Sequence, residues 1–301
     1  MTAAIETHEL TKTFDGTVAV DRLDLCVAPA QVFGFLGPNG AGKTTTIRAL
    51  LDLCHPSSGS ARVFGLDSRR DSVAIHARCG YLPGELELYP RMTGRHLLDW
   101  FAGARGGVDP GWRDQLVERF DVILDRRIHE LSKGNRQKLG VVIAFMHQPE
   151  LLILDEPTSG LDPLMQDEFH RLLRETTAEG RTVFLSSHEL DEVQHVADRV
   201  AIIKDGRLAV TDTVDALRRR APQTMQLRFK TPVAAAVFES LDGVAHVAVD
   251  GDRVTLHVTG QLAPLLRVIA DHDPVDVVAR HADLDELFLT YYRENPNADA
   301  D

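Results

Sequence analysis

The 301 residues carry 44% hydrophobic and 26% charged side chains, a balance that excludes a disordered chain and leaves room for two domains. A net charge of −12 excludes a broad nucleic-acid surface, because binding to a phosphate backbone draws on clustered Lys and Arg. Apolar runs stay far below the ~18 residues a bilayer span needs, and the N-terminus lacks a basic segment followed by an apolar one. The sequence therefore predicts a cytosolic protein that meets any membrane through a partner. Cys26, Cys54 and Cys79 are widely spaced and form no C-x-x-C pair, so they are expected to be reduced and packed.

Residues 5–28 alternate loosely between apolar and polar side chains around an Asp15-Gly16 turn and predict an antiparallel edge sheet. Phe14, just before that turn, suits either a core position or a platform for a base. Residues 31–53 read as a strand through Val32, Phe33, Phe35 and Leu36, a glycine-rich loop, and a helix with Ile47, Leu50, Leu51 and Cys54 on one face. Gly37, Gly42, Lys43 and Thr44 fit G-x-x-x-x-G-K-[ST] in its strand-loop-helix context. Without side chains at Gly37, Gly40 and Gly42 the backbone can close around a polyphosphate, helped by the positive end of the helix. Lys43 would reach the β- and γ-phosphates, and the Thr44 hydroxyl would meet Mg²⁺.

A short strand ends at Tyr81-Leu82-Pro83, followed by Gly84-Glu85, and residues 92–107 and 112–124 then show helical spacing, a helical insertion in an α/β pattern. LSKGNRQ opens another helix, in which Ser132 is an N-cap and the helix end beside Ser132 and Gly134 serves either ordinary capping or an anion. The buried strand at residues 151–154 delivers Asp155 and Glu156 at its carboxyl end. In a nucleotide site Asp155 would organise Mg²⁺ through its water shell and Glu156 would polarise the attacking water; the alternative is a solvated turn. His188 stands just past a further buried strand, at residues 182–186.

Taken together, these residues resemble the ATP-binding cassette (ABC) ATPases, specifically the ATP-binding subunits of ABC-2-type exporters. GPNGAGKTT looks like the Walker A loop, LSKGNRQ like the family signature, LLILDEPTSGLD like the Walker B strand and D-loop, and FLSSHELDEV like the switch-histidine segment. The resemblance, over about residues 5–217, implies a P-loop NTPase fold: a RecA-like α/β core, an antiparallel β edge and a helical subdomain at about 91–148. It implies ATP and Mg²⁺ as ligands, with Pro38, Asn39, Ala41 and Thr45 joining the loop contacts. It also implies adenine stacking by Phe14, γ-phosphate contacts from Ser132 and Gly134, a switch role for His188, and coupling of two sites by Asp162. The implied partners are a second copy or a homologous subunit in a head-to-tail dimer, and an ABC-2-type membrane permease, with no nucleic acid. The implied location is the inner face of the cell membrane. Two departures stand out. LSKGN replaces the usual LSGGQ, and Glu85 stands where a glutamine usually senses Mg²⁺ and water, so Glu85 could meet the metal through a water or leave turnover slow.

The cassette pattern stops after Arg218-Arg219-Arg220, at Ala221-Pro222, which predicts domains at 1–220 and 221–301. The arginine run reads as a solvated helix end, or one lying near anionic lipid. Beyond it, strand and helix patterns follow the order β-α-β-β-α-β of a small ferredoxin-like α+β domain, with a hairpin turning at Asp250-Gly251. His246 and His257 would face each other only in one hairpin register. A last helix carries Leu284, Leu287, Phe288 and Tyr291. The expected function is an ATPase subunit powering export through a separate permease; the alternatives are a soluble cassette acting on ribosomes or nucleic acid, and a slow nucleotide-gated regulator.

Overall fold

The alternating N-terminal run folds as β1 (Ile5–Phe14) and β2 (Thr17–Val27), antiparallel partners joined by Asp15 and Gly16, both at positive φ as a tight twisted hairpin requires. In the computed structural model, residues 2–220, 223–258 and 262–280 are described. Next come β3 (Val32–Leu36), α1 (Lys43–Leu50), β4 (Ser58–Val63) and β5 (Leu66–Asp67), and then α2 (Ser72–Arg78) and β6 (Cys79–Leu82). One sheet has the order β2-β1-β4-β5. Within β2, Leu25 and Val27 point inward, so the alternation turns Cys26 outward. Cys26 is thus exposed rather than packed, while Cys79 is buried.

The helical insertion consists of α3 (Gly94–Ala104), α4 (Pro110–Arg119) and α5 (Lys133–Phe145). It is followed by β7 (Leu151–Asp155), α6 (Pro163–Ala178), β8 (Thr182–Ser187), α7 (Leu190–Val196), β9 (Arg199–Lys204) and β10 (Arg207–Thr213). The helix predicted to reach residue 124 ends at Arg119, because Asp121 turns the chain at a φ of 47°. A six-stranded sheet runs β10-β9-β3-β8-β7-β6, and β9, β3, β8, β7 and β6 pair in parallel. Strands β3, β7 and β8 are buried throughout, as expected for a parallel sheet covered on both faces. Alternate residues enter two separate cores. Leu152, Leu154, Val183 and Leu185 pack with Leu116, Phe120, Leu139 and Phe145 of the helical insertion. On the other face, Phe33, Phe35, Ile153 and Phe184 pack with Ile47, Leu50 and the first sheet.

The chain divides into compact units at Met1–Asp212 and Thr213–Asp301. The second unit contains α8 (Val214–Arg220), β11 (Gln223–Phe229), α9 (Ala236–Glu239), β12 (Val244–Asp250), β13 (Arg253–Val258), α10 (Leu262–Asp271) and β14 (Pro274–Arg280). Its sheet has the order β12-β13-β11-β14 with every neighbour antiparallel, over a core of Met225, Leu227, Phe229, Phe238, Leu256 and Ile269. His246 and His257 do face each other, with ring centroids 5.5 Å apart. Among the described residues no group of three or more candidate ligands could hold a metal, and no helix is long and apolar enough to cross a membrane. The last helix read from Leu284, Leu287, Phe288 and Tyr291 lies outside the described residues.

Phe184 lies fully buried between Phe33 and Phe35, at centroid distances of 6.0 and 5.4 Å. Phe184→Ala is expected to cost about 3–5 kcal/mol in urea unfolding of the full chain, the range for truncating a core aromatic.

Candidate nucleotide site

The loop after β3 is shaped by close backbone approach. A Cβ on Gly37 would lie 2.6 Å from the Ile203 carbonyl oxygen, and one on Gly42 would lie 2.5 Å from that of Ala19 at a φ of 106°. Helix α1 starts at once, with no side chain capping its first turn, so its leading N–H groups remain directed at the loop. Lys43 is only 6% exposed. Its ammonium donates to Gly37 O at 2.6 Å and Pro38 O at 3.2 Å, and it lies 3.3 Å from Glu156 Oε1.

Asp155 and Glu156 leave the end of β7 in different directions. The Asp155 carboxylate is buried and accepts from Thr44 Oγ1 at 2.8 Å and from the Ser186 hydroxyl. Glu156 takes a left-handed φ of 50°, which turns its side chain back over the loop while its N–H donates to Ser186 O at 3.0 Å. There Glu156 Oε2 meets His188 Nδ1 at 2.6 Å. Lys43, Glu156 and His188 thus form one polar line, with the Thr44–Asp155 pair beside it. A cleft of about 360 Å³ opens onto Thr44, Glu85, Asp155, Glu156 and His188, with Asn39 at its rim. An ammonium and uncapped N–H groups next to hard oxygen ligands suit a polyphosphate with a divalent cation.

The comparisons with known proteins agree. The family model described as ABC transporter matches residues 20–159. A daunorubicin resistance ATP-binding protein of Streptomyces coeruleorubidus is 35% identical over 303 residues, covering 95% of each chain. A bacitracin transport ATP-binding protein of Enterococcus faecalis is 34% identical over 244 residues, covering 80% of this chain and 79% of its own. The chain belongs to the ABC transporter family. It is an ATP-binding, ATP-hydrolysing subunit of such a transporter. A solved ATP-binding subunit of an ABC transporter superposes with a TM-score of 0.65 at 28% identity, covering 72% of this chain and 92% of that one.

Other cassette residues named from the sequence lie apart from this cleft. Pro38 and Gly40 are exposed on the loop, Ala41 is buried, and Thr45 is half-buried in the first turn of α1. Phe14 is 47% exposed at the end of β1, with the Lys12 ammonium 4.6 Å over its ring. Ser132 caps α5 by accepting from Asn135 N at 3.2 Å, and Asn135 Nδ2 also donates to it at 3.1 Å. A Cβ on Gly134 would lie 2.6 Å from Gly160 O, so this glycine is required by packing within its own chain. Ser132 and Gly134 do not line the cleft that holds Glu156 and His188. Asp162 caps α6, accepting from Met165 N at 3.1 Å.

The sequence reading missed the hydroxyls that hold the cassette's acids. Ser186 and Ser187 are fully buried at the end of a strand, and polar residues at such a position were the available signal. It missed Glu192 as well, because an acid in the first turn of a helix looks like a complement to the helix dipole. Glu192 is instead 8% exposed and accepts from Ser187 Oγ at 2.6 Å. Burial pushes its carboxyl up to about 7, against the opposing effect of the Ser187 and Thr158 hydroxyls and with help from the charges of Glu156 and Glu189.

A carboxyl raised in the folded state stabilises fully while both states are protonated, and that contribution is lost as pH rises through about 7. Glu192→Gln removes the ionisation. Its unfolding midpoint should match the wild type below about pH 4 and exceed it by pH 8.5, the gap approaching about 3 kcal/mol in thermal or urea unfolding.

Proposed function

We propose that this subunit hydrolyses Mg·ATP in composite sites formed head to tail with a second copy or a homologous cassette subunit, and so powers export through a separate ABC-2-type permease. The observation that carries the reading is the convergence of Lys43, Glu156 and His188 beyond the carboxyl ends of three adjacent parallel strands, with Ser132 and Gly134 outside the cleft lined by Glu156 and His188. A helix end that carries the family signature but lies outside its own chain's cleft suits a loop on a facing subunit.

The chain's own groups divide the chemistry. The loop from Gly37 to Thr45, including Pro38, Asn39, Gly40, Ala41 and Gly42, wraps the phosphates, and Lys43 exchanges its contact with Glu156 for the β- and γ-phosphates. Once released, Glu156 polarises the attacking water, oriented by His188 at its other oxygen. Thr44 and Asp155 would hold a magnesium ion, and Glu85, on the lining of the same cleft, would stand near it. The metal supplies charge neutralisation for the phosphates. Phe14 offers a ring face to adenine.

Two relatives are named for bacitracin transport and daunorubicin resistance, which supports an antibiotic or drug as cargo, selected by the permease. The same reading places the protein in the cytoplasm, peripheral on the inner face of the membrane. We take residues 1–220 as the ATPase domain and 221–301 as a ferredoxin-like accessory domain, a reading supported by the order β11-α9-β12-β13-α10-β14 in a β12-β13-β11-β14 sheet.

Glu156→Gln should abolish steady-state ATPase while ATP binding persists. Lys43→Ala and Ser132→Arg chains should each be inactive alone. Mixed one to one they should recover about a quarter of the wild-type rate, since half the dimers are mixed and each of those keeps one intact site. A mixture that stays inactive while the wild type hydrolyses ATP rules out the shared site.

A further inference from the structure

Past Asp155 and Ser187 the strand ladder between β7 and β8 has ended; the last rung is Glu156 N to Ser186 O at 3.0 Å. The reacting pair sits on the two chain segments that continue beyond it: Glu156-Pro157-Thr158 after β7, and His188-Glu189 after β8. Buried beneath both is Glu192 on α7, which lies within the switch-histidine segment but has no role in the proposed chemistry. Its Oε2 accepts from Ser187 Oγ at 2.6 Å, and the same hydroxyl accepts from Glu189 N at 3.0 Å, which fixes the turn that carries His188. The Thr158 hydroxyl, on the other segment, lies near enough to the same carboxylate to favour its charged form. Oε1 is buried without a partner of good geometry.

We propose that Glu192 is a positioning residue for hydrolysis, its carboxylate tying the segment after β7 to the segment after β8 so that Glu156 and His188 stay in contact. The proposal rests on the reading that those two residues carry hydrolysis. An ionised carboxylate accepts both hydroxyls more strongly than a neutral one, so the tie tightens as Glu192 loses its proton. The charged and titratable groups around it are Glu156, His188 and Glu189 on the two segments, Asp191 and His195 on its own helix, and His170 and Arg174 on α6, which packs against α7. Of these, Glu156 and Glu189 act on Glu192 directly, and both favour its protonated form. Wild-type turnover should therefore rise as pH passes through about 7.

The test uses the full chain at saturating MgATP, measuring kcat from pH 6 to 8.5 together with ATP affinity. Glu192→Ala should lower kcat by roughly tenfold or more with ATP affinity unchanged, as expected for a lost orienting contact. Glu192→Gln, which still accepts a hydroxyl, should restore most of the rate at pH 8 and flatten the rise through pH 7. Ser187→Ala removes the same tie without touching α7 and should reproduce the kcat loss, which keeps the test decisive if Glu192→Ala fails to fold. Wild-type kcat in Glu192→Ala or Ser187→Ala overturns the proposal, as does a loss that Glu192→Gln does not rescue at any pH. Glu156→Gln is the control. If it hydrolyses ATP like the wild type, the hydrolytic reading itself fails; if it is inactive while Glu192→Ala is normal, only this proposal fails.

Discussion

The parallel register of β3, β8 and β7 is the constraint on which the site depends. It sets Leu36 beside Ser187 and Ser186 beside Asp155, so the three strands deliver their carboxyl ends to one place. The register is fixed by apolar packing and not by the polar groups it positions. Because alternate residues of β7 and β8 enter different cores, a slip of one residue would exchange Phe184 with Leu185 and Ile153 with Leu154 across the sheet. Two independent cores oppose that slip, and the hydrogen bonds of Asp155 and Glu156 inherit their precision from them.

Within that frame the electrostatics are deliberately unbalanced. Lys43 is the buried cation at the centre, and its partners are two carbonyl oxygens and one carboxylate oxygen. Against it stand Asp155, Glu156 and Glu192, three acids at the same sheet edge. Asp155 is held by hydroxyls alone, and Glu192 is driven toward its neutral form by burial and by its acidic neighbours. An acidic cluster of this kind costs folding free energy, the expected cost of a preorganised site. On the proposed reading, a polyphosphate would compete for Lys43 and release Glu156.

Much of this was legible in the sequence, for identifiable reasons. Gly37 to Thr44, Asp155-Glu156 and His188 are short-range patterns placed at strand ends, and three buried strands can be read from Val32, Leu151 and Val183 onward because parallel strands are apolar throughout. Helix ends were less legible. The left-handed turn at Asp121 that stops α4 at Arg119 has no glycine or proline to announce it. The Glu192 contacts were invisible for a different reason: the ties to Ser187 and Thr158 join residues from three elements, and nothing local separates a buried first-turn glutamate from a solvated one. Glu85 was read as a departure from a motif, and only the cleft shows that it lines the same pocket as Asp155.

The short segment after Glu156 links the two ends of the molecule's chemistry. Gln137 of α5 donates to Pro157 O at 2.7 Å, Lys133 donates to Ser159 Oγ at 2.8 Å, and Gly134 lies against the Gly160 carbonyl. The helix that displays Ser132 is therefore fastened at three points to the residues immediately following Glu156, and Thr158 in the same stretch reaches Glu192. A change in the Glu156 turn, such as the loss of its Lys43 contact, cannot be absorbed locally, because close-packed backbone on one side and buried hydrogen bonds on the other leave no slack. Lys133, which replaces a signature glycine, adds one of those fastenings through its long side chain. That substitution ties the helix carrying Ser132 more firmly to the segment after Glu156.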